Sequence, residues 1–443
     1  MRGVRRALLL ALTLVTLSIL ARANEAFAAN EEDAFVNNDS LLLGGAARTT
    51  IADGGAVWLN PSRLAQIQRR SVNANISAAR FTSERIHDAI TLDGGHAKTL
   101  HLQSLALLPS SISTAISIDD RLTLGFGMFV SRTTAASQNI VLEMEDDVRT
   151  FRHVTSLSTR EQDYNLVSAI GWQATERSQY GASLIIRYSR EVSSLAAWNL
   201  LDMANYQSTF ATTRSLQLTR LGVGLMLGGT WQVRRNLAVS AVAQSPMLML
   251  IDVENSTTVR NETVINGENS RSETIIERSN ELKSDARAMG SIRLHTGVAW
   301  TTGPRTLSAE LELRLEPDVG SSGYEAVWNA RLGLMRDLDK GWTVGGGIFS
   351  DVTQKLKLDN VYDNAAQYGG VSFGARNRRV IQLGDGERAR TIERSSFIGA
   401  RYMIGVGRFT GANIHINEGT STPRNVPYVA HELSIYIGAS MAF

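Results

Sequence analysis

Leu433-Ser-Ile-Tyr-Ile-Gly-Ala-Ser-Met-Ala-Phe443 is the stretch that decides the fold. Leu433, Ile435, Ile437, Ala439, Met441 and the terminal Phe443 share one parity, and Ser434, Tyr436, Gly438, Ser440 and Ala442 share the other. Successive side chains of a strand point to opposite sides, so this segment has one apolar face and one mixed face. The same alternation recurs upstream. Leu307, Ala309, Leu311, Leu313 and Leu315 interleave with Ser308, Glu310, Glu312, Arg314 and Glu316. Leu122, Leu124, Phe126, Met128 and Val130 interleave with Thr123, Gly125, Gly127 and Phe129, and Leu221 to Trp231 follow the same rule. A soluble sandwich alternates too, but many of these runs, at about ten residues or more, exceed the five or six usual in soluble sheets.

The connections come in two lengths that alternate along the chain. Short turns fall at Asp119-Asp120, Arg234-Arg235-Asn236, Thr302-Gly303-Pro304 and Asp339-Lys340-Gly341; long polar stretches, read as loops, fall at Glu143–Thr159, Val192–Arg214, Glu254–Lys283 and Thr353–Gln367. Tight turns at one end and long loops at the other are the pattern of a transmembrane barrel. In lipid every backbone N–H and C=O must be paired, so an all-strand spanning protein has to close on itself. The expectation is an all-β transmembrane antiparallel barrel of about fourteen strands between Val72 and Phe443, within a range of roughly twelve to sixteen. The ambiguity lies between Gln367 and Ile414, where Tyr368–Ala375 reads as strand or loop.

The first residues read differently. Arg2, Arg5 and Arg6 precede the apolar run Ala7–Leu20, and Ala26-Phe27-Ala28-Ala29 follows, which is the plan of a secretory signal. The apolar run is shorter than the roughly 18–20 residues of a membrane-spanning helix. Removing residues 1–28 removes four arginines and one glutamate and turns the formal charge from +2 to −1, so no basic surface for nucleic acid is expected. The absence of cysteine among 443 residues excludes a disulfide scaffold, a thiolate metal site and a cysteine nucleophile. The chain therefore divides into a signal (1–28), an amino-terminal segment (29–70) and a barrel (71–443), and the location expected is the outer membrane of a Gram-negative type cell.

Residues 29–70 do not alternate. Gly44-Gly45 and Gly54-Gly55 permit tight reversals, and Pro61 fixes its own φ while pushing Asn60 toward extended backbone. Two readings stand open, a plug within the barrel lumen and a loose periplasmic tail. Gly45-Ala46-Ala47, Ala52-Asp53 and Asn60-Pro61-Ser62-Arg63-Leu64-Ala65 resemble the plug of the outer-membrane transporters of long-chain fatty acids and other hydrophobic compounds, the FadL/TodX type. The stretch from Pro109 through Asp119-Asp120-Arg121 to Gly125-Phe126-Gly127, and that from Leu237 to Gln244-Ser245-Pro246, also resemble this family. A carboxy-terminal aromatic such as Phe443 resembles the signal read by barrel assembly machinery. Ser62 and Arg63 depart from the usual Ala and Gly, and the lumen-side charges Glu310, Glu312, Arg314, Arg331 and Arg401 argue against an unbroken apolar conduit.

The resemblance implies a channel in contact with outer-membrane lipid. It would pass hydrophobic small molecules, long-chain fatty acids or aromatic hydrocarbons, by passive diffusion, with sideways exit where the third strand kinks. Gly125 and Gly127 are the candidates for that lateral opening, although room for the plug is the favoured reason for them. Asn60, Pro61, Gly54 and Gly55 would shape the plug. The apolar residues Leu195, Trp198, Leu201, Met203, Tyr206 and Phe210, of which Leu195, Trp198 and Leu201 have a three-residue spacing that suggests a short helix, are the candidate ligand-capture loop, or else a lid on the barrel rim. No H-E-x-x-H or phosphate-loop motif is present, and no enzyme, cofactor or metal is expected. A structural or surface-interaction barrel with a closed lumen is the alternative, its function placed in Glu254–Lys283, and a polar-solute porin ranks third.

Overall fold

The computed structural model describes residues 38–443 except 68, 93–96, 146–148, 204–205, 267–268, 284–286, 316–324, 355–363, 384–389 and 416–419. The signal assigned to 1–28 and the start of the amino-terminal segment, 29–37, lie outside the described residues.

Seventeen strand segments form one sheet. They are β1 (Ser71–Leu92), β2 (Ala97–Ser117), β3 (Leu122–Glu145), β4 (Arg149–Thr175), β5 (Ser178–Met203), β6 (Tyr206–Arg234), β7 (Leu237–Gln244), β8 (Met247–Asn266) and β9 (Asn269–Lys283), then β10 (Arg287–Met289), β11 (Arg293–Thr302), β12 (Arg305–Arg314), β13 (Val327–Asp337), β14 (Trp342–Asp351), β15 (Asn364–Leu383), β16 (Arg390–His415) and β17 (Thr420–Ala442). β7 and β8 are one wall strand broken at Ser245-Pro246, since both pair with β6. β9, β10 and β11 make another, pairing in turn with β8, β8 and β7. The wall thus has fourteen antiparallel strands, closed where Ser71–Ile86 of β1 pairs with Tyr428–Ala442 of β17. Tyr368–Ala375 belongs to β15, in unbroken register with β16, which settles that ambiguity as strand.

The apolar parity faces outward. Leu433, Ile435, Ile437 and Met441 are exposed while Glu432, Ser434 and Tyr436 are buried. In lipid that exposure is covered, and Trp172, Tyr180 and Trp231 pack ring to ring near the turn end, where aromatic girdles form.

Two expectations fail at the loop end. Glu143–Thr159, Val192–Arg214 and Glu254–Lys283 are for the most part continuing ladder: β3–β4 pair out to Glu145↔Thr150, β5–β6 to Met203↔Tyr206 and β8–β9 to Asn266↔Asn269. The apolar alternation that marks a spanning strand is lost along these hairpins while backbone pairing continues, as expected where both faces meet water. The helix expected around Leu195, Trp198 and Leu201 is likewise absent. Ser193–Met203 is strand.

Asn38–Ile67 crosses the inside of the cylinder. It carries two short helices, α1 (Asn38–Leu42) and α2 (Ala56–Leu59), and a 3₁₀ turn, Pro61–Gln66. α1 touches β13–β16, whereas α2 and the 3₁₀ turn touch β3–β6, on nearly opposite sides of the ring. Gly44 and Gly45 have φ of +61° and +85° and reverse the chain after α1, as their glycine pairing suggests. Gly55 has ordinary helical backbone, so the second pair makes no left-handed turn.

Candidate functional site

The segment rests on two rows of small residues. Gly171, Gly181 and Gly228 are direct register partners on β4, β5 and β6. A Cβ on Gly181 would strike the backbone of Pro61 and Ser62, so only glycine lets the 3₁₀ turn lie this close. Across the lumen Gly333, Gly347 and Ser372 are register partners on β13, β14 and β15. A Cβ on Gly347 would sit 2.8 Å from Gly44, and Ser372 Oγ donates to the Leu41 carbonyl at 2.6 Å.

Asn60 and Pro61 meet at the first row. Pro61 begins the 3₁₀ turn, where its missing N–H costs nothing, and Asn60 Oδ1 accepts from Ser62 N at 3.2 Å. Asn60 Nδ2 donates to the Arg48 carbonyl at 2.8 Å and to Thr230 Oγ1 at 3.1 Å, tying segment to wall. Arg63, one departure from the family pattern, donates to the Ile51 and Thr50 carbonyls at 3.0 and 3.3 Å. Burial pushes its guanidinium down to about 10, with Asp39 opposing the shift, so it stays cationic at neutral pH. Gly54 lies against Asn73 and Ser113 of the wall.

Gly125 and Gly127 part ways. Gly125 gives room to Val57, whose methyl would lie 2.5 Å from a Cβ there, and to Leu64. Gly127 lies under the ring of Phe129, which stacks on Trp58 with centroids 5.4 Å apart. Both rings are buried in an apolar cluster with Val57, Leu64, Val167, Met226, Val242 and Met247.

The ladder between β2 and β3 ends at this stack. β2 and β3 pair through only seven positions, Ser117↔Thr123 to Ser111↔Phe129. Beyond Phe129 toward the loop end, β2 pairs with β1 and β3 pairs with β4, while no pairing joins β2 to β3 among the described residues. The local sequence explains the break. The β3–β4 register slips between Val130 and Arg132, a bulge at Ser131. Ser131 Oγ accepts instead from Asn165 Nδ2 at 2.8 Å. Pro109 of β2 has no N–H to give a neighbour, as suits an edge.

Nearby, at the Ser245-Pro246 break, a cavity of about 170 Å³ is lined by Arg187, Arg220 and Arg293, by Glu161 and Asp163, and by Met247 and Met249. Arg187 donates to Asn165 Oδ1 at 2.9 Å, and Arg220 pairs with Asp252 at 3.3 Å. These arginines escaped sequence reading, although each has the lumen parity of its strand. The charges that parity did place inward form a buried network. Arg48 of the segment meets Glu310 at 2.6 Å, Arg331 bridges Glu310 and Glu312 at 2.9 and 2.8 Å, and Arg314 meets Glu312 at 2.8 Å and Asp351 at 3.4 Å. Arg401 pairs with Glu432, which also holds Arg80 at 2.6 Å.

The candidate capture residues lie far from this centre, Leu195, Trp198, Leu201 and Met203 on β5 and Tyr206 and Phe210 at the start of β6, in the hairpin beyond the membrane. Phe443 N donates to the Arg70 carbonyl at 2.9 Å, beside the closing seam.

A closed fourteen-strand antiparallel cylinder crossed inside by an amino-terminal segment defines a class, the transmembrane barrel. Within it the fold is that of the FadL/TodX type. A FadL homologue of Pseudomonas aeruginosa matches 93% of this chain and 99% of its own with a TM-score of 0.59 at 11% identity. The P. putida toluene transporter TodX matches 94% and 99% with a TM-score of 0.58 at 13% identity. CymD, a monoaromatic hydrocarbon channel, matches 92% and 97% with a TM-score of 0.54 at 13% identity. No family model and no curated protein matches the sequence.

Proposed function

We propose that this chain is an outer-membrane channel that passes hydrophobic small molecules by passive diffusion, with residues 29–70 as its plug and lateral exit between β2 and β3. The observation that carries this reading is the ladder between β2 and β3, which stops at Ser111↔Phe129 while both strands continue. The break lies beside the buried Trp58–Phe129 stack, so an apolar surface adjoins an unpaired stretch of wall. The neighbours of the same fold, by their names, include a toluene transporter and a monoaromatic hydrocarbon channel. The arginine-lined cavity next to Met247 and Met249 favours a ligand with an apolar body and an anionic end over a bare hydrocarbon. Capture would begin at the apolar hairpin Leu195–Phe210, here a pair of strands rather than a helix.

The test is a titration of the refolded barrel with a fluorescent fatty acid, chased with unlabelled alkyl and aromatic competitors, alongside a deletion of residues 193–210. Saturable, displaceable binding that weakens in the deletion is expected, with entry into liposomes unaffected by an imposed ion gradient. A folded barrel that binds no competitor class would overturn the reading. The outcome would then favour the surface-interaction barrel, which the long β8–β9 hairpin, exposed along most of its length, supports.

A further inference from the structure

Charge is sorted by face where the wall leaves the membrane. On β1 the outward row carrying Phe81 continues to Ser83 and Arg85, and Arg85 is the direct register partner of His101 on β2. On β4 the outward row of Trp172, Ile170 and Leu166 continues through Tyr164 and Gln162 to Arg160. On β5 the row of Tyr180, Leu184, Ile186 and Tyr188 continues to Arg190, partner of Gln162. Arg85, His101, Arg160 and Arg190 are all exposed and have no hydrogen bond or ion pair with any described residue. The carboxylates next to them in sequence take the other face. Glu161 lines the lumen cavity, Glu191 is its register partner, and Glu84 shares the parity of the buried Arg80 and Ile86.

The height of these cations is fixed by the strands that carry them. Arg85, Arg190 and Arg160 stand some twelve to fifteen residues from the turn ends of β1, β5 and β4. About nine to eleven residues of tilted strand cross the hydrocarbon, so all three reach the headgroup layer on the loop side. Tyr164 and Tyr188, with rings 6.4 Å apart, lie just below Arg160 and Arg190, as an interfacial aromatic row does. The two groups also flank one feature. Arg85 and His101 lie on the β1–β2 side, and Arg160 and Arg190 on the β4–β5 side, of the unpaired stretch between β2 and β3.

We infer that Arg85, His101, Arg160 and Arg190 form a binding site for the phosphate groups of an outer-leaflet lipid, which lies across the outer mouth of the β2–β3 split. Guanidinium forks match phosphate oxygens bidentately, and cations at a headgroup layer attract anionic lipid. Glu84, Glu161 and Glu191, the carboxylates next to them in sequence, lie on the other parity and do not pair with them. The inference rests on the outer-membrane reading but not on what the channel passes.

The probe is bisphosphorylated lipid A. The full-length barrel in nanodiscs would be titrated with it and scored by native mass spectrometry, and the variants Arg85→Ala/His101→Ala and Arg160→Ala/Arg190→Ala would be titrated alone and combined. Heat-modifiable gel migration would certify that each is folded, and Arg121→Ala at the opposite rim would serve as control. Affinity should fall roughly fivefold for each arginine removed and about a hundredfold for the three together, with the control unchanged. Lipid A stripped of its phosphates should bind the native barrel no better than the combined variant does. Equal retention by native and combined variants, or equal binding of the dephosphorylated lipid, would overturn the site. Displacement by millimolar inorganic phosphate alone would reduce it to a small-anion site and overturn it as a lipid site. A barrel that keeps lipid A yet binds no fluorescent fatty acid would separate failure of the transport reading from failure of this one.

Discussion

Against β3–β6 the amino-terminal segment lies on glycine and meets only apolar or neutral partners, whereas across the lumen it lies on glycine and, through Arg48, also meets charge on β12–β14. On the first side Pro61 and Leu64 press onto Gly171 and Gly181, and Asn60 and Ser62 bond to Thr230. On the second, Arg48 joins a network of two further arginines, two glutamates and an aspartate, nearly all of it out of water. The first contact is short-range and depends on shape. The second is held by pairs whose separate members are costly to bury, so loss of one group strands the others. One segment is thus seated by two kinds of physics, which respond differently to the same perturbation.

Glu310→Ala should produce the largest effect. It leaves Arg48 and Arg331 short of a shared carboxylate and should cost about 3–5 kcal/mol, read as a lower midpoint in urea unfolding of the barrel. Glu310→Gln should cost less, because one acceptor oxygen remains. Gly181→Ala attacks the other side. A methyl there collides with the Pro61 backbone, so about 1–3 kcal/mol of overpacking is expected, together with larger single-channel conductance if the segment is displaced. Conductance unchanged in a folded Gly181→Ala barrel would argue that the segment does not limit passage.

Asn60→Ala removes a cap and two bonds to neighbours and should cost about 1–2 kcal/mol, with little dependence on salt. Arg271→Ala, on the exposed β8–β9 hairpin where Arg271 pairs with Glu273, should change stability by under about 0.5 kcal/mol. A larger loss there would mean that the hairpin is coupled to the wall.

The sequence carries the membrane-crossing part of this fold because lipid on one side and lumen on the other force two chemically distinct parities. That is why Leu433–Met441 and Leu307–Leu313 are readable, and why parity alone places Glu310, Glu312, Arg314, Arg331 and Arg401 inward. Where both faces meet water the constraint vanishes, so Glu143–Thr159 reads as loop although most of it is ladder. Leu195, Trp198 and Leu201 imitate helical spacing for the same reason. The end of the β2–β3 ladder at Phe129 has a faint trace, the end of the apolar run that starts at Leu122, but nothing local says that β2 will not follow. Trp58 and Phe129 lie 71 residues apart, and only the closed cylinder brings them together.

One pairing breaks the antiparallel rule. Ile90–Leu92 of β1 runs parallel to Ala412–Ile414 of β16, although β17 separates the two strands lower down. β15 begins at the partner of Phe409, so among the described strands the edge of β16 above it is open to β1. β1 passes Gly411 closely to get there, and Thr91 Oγ1 donates to Asn413 Oδ1 at 2.8 Å. The junction between first and last strands is therefore stitched twice, once edge to edge and once over the top. A tear along that junction has to start at Ser71 and Ala442, the end nearest the turns, because the other end is clasped. The clasp across β17 is thus a second fastening that holds the finished cylinder against unzipping from its loop end.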